Sequence, residues 1–145
     1  MPVFTRLKDI KQMVASFILM RVRELMSYPI SIVKPNATVR DAVRTMVDGK
    51  KGCVLVAEEG LLKECQGIVT TSLLYRKVFA EGLDPGKVMV KDIMTPSPLI
   101  TVGPNATAKE AAGLMMKHDI RRLPVVEGGT LVGIITSKDL LSCVE

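Results

Sequence analysis

Two copies of one sequence unit run through this chain, and the repeat limits its fold more than any other feature. Four blocks recur in the same order, 68 or 69 residues apart for the first three and 66 for the last. In pairs, first copy before second, they are VRELMS (22–27) and VKDIMT (90–95), PNATVRDAVRTM (35–46) and PNATAKEAAGLM (104–115), CVLVAE (53–58) and RLPVVE (122–127), and GIVT (67–70) and GIIT (133–136). Repeated sequence predicts repeated structure, so each copy should fold into the same unit.

Each copy is predicted to contain three short strands. Short apolar runs that are rich in β-branched residues and lie between turn residues are typical of strands. The runs are ISIV (30–33), CVLVA (53–57) and GIVT (67–70) in the first copy, and LITV (99–102), LPVVE (123–127) and LVGIIT (131–136) in the second.

Two helices are predicted in each copy. The first begins after PNAT, where Thr107 and Glu110 have the spacing of a capping box and Thr38 and Asp41 form a close variant. The second begins near the threonine that ends GIVT or GIIT. The predicted order is therefore β-α-β-β-α, twice.

This order predicts an α+β fold in which the two repeats pack through their sheets with pseudo-two-fold symmetry. Each unit has only about 60 residues and would bury a marginal core alone. The predicted organisation is an N-terminal helix over 1–21, a first repeat over 22–80, a linker over 81–89 and a second repeat over 90–145.

The N-terminal segment is predicted to be an amphipathic helix, because its apolar residues fall at helical spacing. They are Leu7, Ile10, Val14, Phe17 and Ile18. The apolar stretch 13–20 is too short to span a bilayer, and no cleavage site of a signal peptide follows it. We therefore expect this helix to pack on its own domain or on another subunit.

Composition excludes several function classes. The net charge of +5 (20 Lys and Arg against 15 Asp and Glu) is a mild excess that fits a solvated surface better than an anionic partner. Three Phe, two Tyr and no Trp disfavour base stacking on aromatic side chains. The three cysteines, at 53, 65 and 143, include no CxxC pair, which disfavours a disulfide framework or a zinc site and fits a reducing cytoplasm.

The segment GIITSKD (133–139) has residues suited to binding a nucleotide. The Asp139 carboxylate could accept hydrogen bonds from both hydroxyls of a ribose. Thr136 and nearby backbone N–H groups could meet a phosphate at a helix N-terminus, and Gly133 leaves room for close approach. The same Thr-x-x-Asp spacing is also that of a helix cap, so both interpretations stay open here.

The first copy departs from this pattern at one position. Its equivalent segment reads GIVTTSL (67–73), with Leu73 where the second copy has Asp139. Leucine accepts no hydrogen bond, so one site is expected to be competent and its twin impaired.

The linked motifs closely resemble the cystathionine-β-synthase (CBS) domain, and two in tandem resemble a CBS pair, or Bateman module. The resemblance covers residues 22–145 and rests on the DIMT-type lead-in, PNAT, LPVVE and LVGIITSKDLL. It implies repeats packed through their sheets, a homodimer of such modules, and binding of adenosine-containing ligands that is reported to a partner.

The resemblance also implies site residues. In the family signature G-h-x-T/S-x-x-D/N, where h is apolar, Gly133, Thr136 and Asp139 would contact ribose and phosphate, together with Ile134 and Lys138 of the same segment. The family loop h-x-R-h-P matches IRRLP (120–124), so Arg122 would bind phosphate with help from Arg121.

The first copy would supply the adenine pocket by the same resemblance. The implied residues are Ile30, Ser31, Lys51, Gly52 and Cys53. Lys51 stands where the family has an apolar residue, and Leu55 replaces the usual proline, so the fit of this pocket departs from the family pattern.

These features predict a regulatory module that binds AMP, ADP or ATP and acts on a separate effector protein or on its own dimer. One alternative is S-adenosylmethionine or a related adenosyl ligand. Another is a scaffold for nucleic acid or protein with a vestigial pocket, although no nucleic-acid motif supports it. No catalytic constellation, metal cluster or P-loop is visible, so we expect no enzyme activity, no required cofactor and no membrane association.

Overall fold

The computed structural model of the chain describes residues 7–142. Its helices and strands follow the predicted β-α-β-β-α order in the first unit, and in the second unit the first strand is reduced to a single bridge. The helices are α1 (Leu7–Leu19), α2 (Val22–Leu25), α3 (Val39–Gly49), α4 (Thr71–Leu74), α5 (Val90–Ile93), α6 (Ala108–His118) and α7 (Ser137–Leu141). The strands are β1 (Ile32–Val33), β2 (Cys53–Ala57), β3 (Cys65–Thr70), β4 (Thr95–Pro96), β5 (Arg122–Glu127) and β6 (Thr130–Thr136). The α+β class is confirmed.

The predicted N-terminal helix is present as α1 and packs against α6. Of its predicted apolar face, Phe17 and Ile18 are half-buried, whereas the side chains of Leu7, Ile10 and Val14 lie outside the described residues. Within the described part of the chain, no helix has the length and apolar character needed to cross a membrane.

The described chain divides into two compact units. The first-repeat unit comprises residues 29–99 and 128–132, and the second-repeat unit comprises residues 7–28, 100–127 and 133–142. The VRELMS lead-in (22–27) thus belongs to the unit of the second repeat, and the VKDIMT lead-in (90–95) belongs to the unit of the first. The boundaries predicted for the sequence repeats stay a prediction, since the spatial units cross them.

A four-stranded sheet in the order β1-β2-β3-β4 forms the first-repeat unit. β1 is parallel to β2, and β2 and β3 form an antiparallel hairpin in which Cys53 lies opposite Thr70. β4, which the sequence did not predict, pairs with β3 by placing Thr95 opposite Ile68. The lead-in therefore completes the sheet of the other repeat.

Apolar side chains from both layers fill the core of this unit. β2 is buried along its whole length, which explains its continuous apolar sequence. The helix α3 begins at Thr38, whose side chain accepts from the Asp41 N–H while the Asp41 carboxylate accepts from the Thr38 N–H, as the capping box predicts. This start places Ala42 and Met46 against the sheet.

The second-repeat unit has the same arrangement with fewer paired residues. β5 and β6 form the central pair. The strand predicted over 99–102 is reduced to one parallel bridge between Val102 and Val125, and the lead-in adds one antiparallel bridge between Ser27 and Ile134. The prediction of a full strand there was wrong in extent, because only Val102 exchanges backbone hydrogen bonds with β5.

The helix α6 is capped by half of the predicted capping box. The Thr107 side chain accepts from the Glu110 N–H at 3.1 Å. Backbone bonds then join this N-terminal turn to the lead-in, from the Val22 N–H to the Ala106 carbonyl at 2.8 Å and from the Ala108 N–H to the Met20 carbonyl at 2.8 Å. The Arg21 guanidinium adds a bond to the Asn105 carbonyl at 2.7 Å.

Candidate functional site

The junction of β6 and α7 holds Thr136 and Asp139 in a reciprocal cap. The Asp139 Oδ2 atom accepts from the Thr136 N–H at 2.9 Å, and the Thr136 hydroxyl oxygen accepts from the Asp139 N–H at 3.2 Å. The cap that the sequence allowed is therefore formed. Both residues are half-buried, so the side chains are held in place while they remain accessible at the surface of their unit.

Most backbone N–H groups at this junction already donate hydrogen bonds within the protein. The Thr136 and Asp139 N–H groups serve the cap, and the Ser137 N–H donates to the Arg121 carbonyl at 2.9 Å. A phosphate would therefore find few backbone donors here, which weakens the sequence-based expectation of a phosphate at the helix N-terminus. Side chains would have to supply the donors instead.

Two arginines stand beside this junction. Because the Ser137 N–H binds the Arg121 carbonyl, the start of β5 is fixed next to the start of α7. Arg122 is the first residue of β5 and is half-buried, whereas Arg121 is exposed. Leu123 and Pro124 follow in the core and anchor the strand. The structure thus brings Thr136, Asp139 and Arg122 to one end of the β5–β6 pair.

Gly133 and Ile134 have a structural partner of their own. A Cβ atom on Gly133 would lie 2.8 Å from both the Ser27 carbonyl oxygen and the Met26 sulfur atom. Ile134 exchanges two backbone hydrogen bonds with Ser27, at 2.9 and 3.0 Å, and its side chain is buried. The close approach that Gly133 permits is therefore made by the lead-in. Lys138, by contrast, is exposed on α7.

The equivalent junction in the first repeat lacks the carboxylate and the arginine of the second. Thr70 still caps α4 by accepting from the Leu73 N–H at 3.2 Å, but the Leu73 side chain is 2% exposed and lies in the core. Cys53, which the repeat aligns with Arg122, is also buried. Asp139 and Arg122 of the second junction are thus replaced in the first by Leu73 and Cys53, which are buried.

The residues predicted to form an adenine pocket lie in the first-repeat unit. The Ser31 carbonyl accepts from the Leu55 N–H at 2.9 Å, next to half-buried Ile30, and the Gly52 carbonyl accepts from the Thr71 N–H at 3.1 Å. Lys51 lines a groove between α3 and α4. Asp139 and Arg122 belong to the other unit, so the predicted site residues fall into two groups that are each described within their own unit.

Sequence reasoning missed the second polar difference between the repeats. The alignment of CVLVAE (53–58) with RLPVVE (122–127) already placed Cys53 against Arg122. It also missed the packing role of the paired glycines, Gly67 and Gly133. The signal was a glycine at the same place in both copies, three residues before the capping threonine that ends the strand.

Local interactions shift the pKa values of Asp41 and Cys65. The cap bonds from Thr38 lower the pKa of Asp41, and burial raises the pKa of the Cys65 thiol. Over residues 7–142, no group of three or more His, Cys, Asp or Glu side chains could hold a metal ion. The candidate site is therefore defined by hydrogen-bonding and cationic groups of the second repeat.

The fold and this junction define a class of protein, a tandem-repeat α+β module in which only the second strand–helix junction of the described residues carries an acidic residue and an arginine. The sequence pattern of the CBS domain matches residues 22–79 and 90–145. The chain belongs to the CBS domain family, and the two matches make it a tandem CBS pair.

Known proteins share this module at moderate identity. The chain is 34% identical over 119 residues to CBS domain-containing protein YhcV of Bacillus subtilis (strain 168), which is 82% of this chain and 81% of that protein. It matches the structure of the hexameric CBS-CP12 protein from bloom-forming cyanobacteria with a TM-score of 0.76 and 33% identity, over 86% of this chain and 71% of that one.

Some of the similar proteins are enzymes. The chain is 42% identical over 110 residues to inosine-5'-monophosphate dehydrogenase of Korarchaeum cryptofilum (strain OPF8), which is 74% of this chain. These residues are 21% of that enzyme's length. The match covers the CBS portion of the enzyme, so the likeness concerns that portion alone.

Proposed function

We propose that this CBS pair is a regulatory module that binds an adenine nucleotide, AMP, ADP or ATP, at the polar junction of its second repeat. Asp139 accepts from the ribose hydroxyls. Arg122 binds phosphate as a rigid fork of donors, and Arg121 and Lys138 add positive charge nearby. The family pattern assigns the adenine to Ile30, Ser31, Lys51, Gly52 and Cys53 of the first repeat.

One observation supports this proposal above the others, the contrast between the two junctions. Thr136, Asp139 and Arg122 present a hydroxyl, a carboxylate acceptor and a cation, in that order, at one end of the β5–β6 pair. The matching first-repeat positions 73 and 53 are buried and apolar. A pure helix cap needs no arginine, since the first repeat caps α4 with Thr70 alone.

The cap and the proposed ribose contact are compatible. An ionised carboxylate offers about four lone-pair positions, and the bond to the Thr136 N–H uses one of them. The cap also orients the group in advance, which lowers the entropy cost of binding.

Calorimetric titration of the Asp139→Asn variant with AMP and ATP tests the proposal. The amide oxygen can still accept from the Thr136 N–H, so the fold is retained while the ionised acceptor is lost. Because a hydrogen bond to a charged group contributes roughly 1.5–3 kcal/mol, we expect affinity to fall about ten- to hundredfold. Asp92→Asn removes an exposed carboxylate from the other unit and serves as the matched control.

Unchanged affinity in a folded Asp139→Asn protein would remove the ribose contact and the proposal with it. Thermal unfolding of both variants shows whether the fold is retained. Absence of nucleotide binding by the wild-type chain would favour the scaffold alternative instead.

A second candidate ligand is S-adenosylmethionine or a related adenosyl compound. Few backbone N–H groups at the junction remain to donate to a ligand, which favours such a compound. It needs an acceptor for its ribose hydroxyls but no donors for a phosphate. Titration with S-adenosylmethionine beside AMP separates the two ligands, and preference for the former would leave Arg122 without its proposed role.

Regulation is proposed to pass through a homodimer or a separate effector protein in the cytoplasm. A ligand shifts a conformational equilibrium only by binding one state more tightly than another. A nucleotide that changes the oligomeric state, measured by sedimentation velocity, would support the dimer as the output.

A further inference from the structure

Each lead-in carries a methionine that packs on a glycine of the strand beside it. The Met26 sulfur atom lies 2.8 Å from the position that a Cβ atom on Gly133 would occupy, and the Met94 sulfur atom lies 2.8 Å from the same position on Gly67. The two methionines align in the VRELMS and VKDIMT blocks, and the two glycines align in GIVT and GIIT. The same contact is therefore built twice, once in each compact unit.

Backbone hydrogen bonds join each lead-in to its strand close to this contact. The Ser27 N–H donates to the Ile134 carbonyl at 2.9 Å, and the Ile134 N–H donates to the Ser27 carbonyl at 3.0 Å. In the other unit the Ser97 N–H, just after β4, donates to the Gln66 carbonyl at 2.9 Å. The VRELMS lead-in meets β6 in a bridge of one residue pair, so its docking depends on side-chain contacts as well.

The two lead-in methionines are partly open to solvent. Met26 and Met94 are half-buried, whereas Met46 and Met115 in the core are only 4% and 6% exposed. A small oxidant can approach a thioether that solvent reaches, whereas the surrounding side chains protect one in the core. The lead-in methionines therefore combine a structural contact with access to the solvent.

We propose that Met26 and Met94 are modification sites for hydroperoxides, and that their oxidation releases each lead-in from its strand. With hydrogen peroxide, the thioether sulfur takes one oxygen atom as the O–O bond breaks, and the other oxygen leaves as water with both protons. The sulfur loses two electrons and the peroxide gains them.

The product explains the release. A sulfoxide is polar, chiral and one oxygen atom larger than the thioether. It loses the apolar contact with the glycine, where even a Cβ atom would stand 2.8 Å from the sulfur. The sulfoxide is favoured by water, which it reaches when the lead-in moves away from the strand. This inference does not depend on nucleotide binding at Asp139.

Hydrogen exchange of the full chain, measured by NMR after treatment with hydrogen peroxide, tests the proposal. Peptide mass mapping reports the sulfoxide at each methionine, under mild conditions that leave the two core methionines unoxidised. Exchange of the Ile134 and Ser97 amides, which donate the lead-in bonds, should become about tenfold faster or more. Unchanged exchange in a chain oxidised at Met26 and Met94 would overturn the proposal, and so would resistance of both methionines to peroxide in the folded chain.

Leucine variants give matched controls, because leucine keeps the apolar volume and cannot be oxidised in this way. In Met26→Leu, peroxide should speed exchange at Ser97 but not at Ile134, and Met94→Leu should give the reverse. Met116→Leu, which removes an 83%-exposed thioether from α6, should respond as the wild-type chain does. Faster exchange at Ile134 in the Met26→Leu variant would show that another oxidised group releases the lead-in, which contradicts the proposal.

Two further measurements separate the sulfoxide from general damage. Met26→Gln introduces a polar side chain without peroxide and should speed exchange at Ile134 as oxidation does. Methionine sulfoxide reductases return the thioether, since the added oxygen leaves as water while two thiols form a disulfide. This treatment should restore slow exchange in the oxidised wild-type chain. Exchange that stays fast after the thioethers are regenerated would assign the change to other damage and overturn the proposal.

Discussion

At the scale of single residues, the two repeats differ most at the positions of Leu73 and Asp139. The sequence predicted both roles that Thr136 and Asp139 could have, and the structure shows that the cap is formed. Sequence alone could not show that Leu73 lies in the core, because a leucine at a helix start can also be exposed. The ligand role of Asp139 stays a prediction.

Arg122 should distinguish nucleotides from nucleosides. Arg122 is half-buried at the start of β5, beside the junction, where backbone donors for a phosphate are few. We expect Arg122→Gln to weaken AMP binding by about tenfold or more and to leave adenosine binding unchanged, since only the phosphate contact is lost. Exposed Arg121→Gln is the control, with a smaller expected effect. Equal losses for AMP and adenosine in calorimetry would contradict a phosphate contact.

Asp41 should make stability depend on pH. The bonds from Thr38 lower the pKa of its carboxyl below the ordinary value of 3.8. Because the folded state holds the proton less tightly than the unfolded state, this contribution is complete above pH 3.8 and is lost as pH falls through the lowered value.

Urea unfolding at a series of pH values measures this contribution against Asp41→Asn, which keeps an acceptor but does not titrate. The wild-type chain should exceed the variant in stability above the ordinary pKa of Asp, and the difference should shrink under more acidic conditions. A difference that is the same at every pH would show that the Asp41 charge contributes nothing.

At the scale of helices and strands, local patterns predicted the central elements better than the flanking ones. β2 and the start of α3 follow from an apolar run and a capping box. The strand predicted over 99–102 has only one bridge, and β4 was not predicted. Both errors have the same cause, since each segment pairs with strands far along the chain and its own pattern does not reveal the partner.

Gly67 should be needed for the pairing of β3 with the VKDIMT lead-in. A Cβ atom there would collide with the Thr95 carbonyl oxygen and with Met94. We expect Gly67→Ala to lower the free energy of unfolding by about 1–3 kcal/mol, because backbone must shift to make room.

Gly113→Ala is the matched control for this prediction. Gly113 lies within α6 with open space around its Cα atom, so alanine should raise the free energy of unfolding by about 0.5–1 kcal/mol. Denaturant unfolding of both variants gives the comparison. A Gly67→Ala protein as stable as the Gly113→Ala protein would show that the lead-in does not require the glycine.

At the scale of the whole molecule, the repeats in sequence are not the compact units in space. Each lead-in adds to the unit of the other repeat, as Ser27 does with Ile134 and Thr95 with Ile68. The exchange could not be read from the sequence, because a repeat alignment shows which segments are alike but not which segments touch. Neither repeat would therefore have its full set of strands if it were separated at the lead-in.

The repeat also allows two ligand sites per chain, yet we expect one. Leu73 and Cys53 fill the first junction with buried apolar side chains, whereas Asp139 and Arg122 leave the second one polar. A charged side chain at position 73 or 53 would be buried without a partner, which is costly. We therefore expect the first junction to lack a ligand acceptor. Calorimetric titration with AMP should therefore give a stoichiometry of about one per chain, set by the single polar junction. Two sites of equal affinity would show that nucleotide binding does not depend on the acidic residue, and the Asp139→Asn variant would then be expected to keep both.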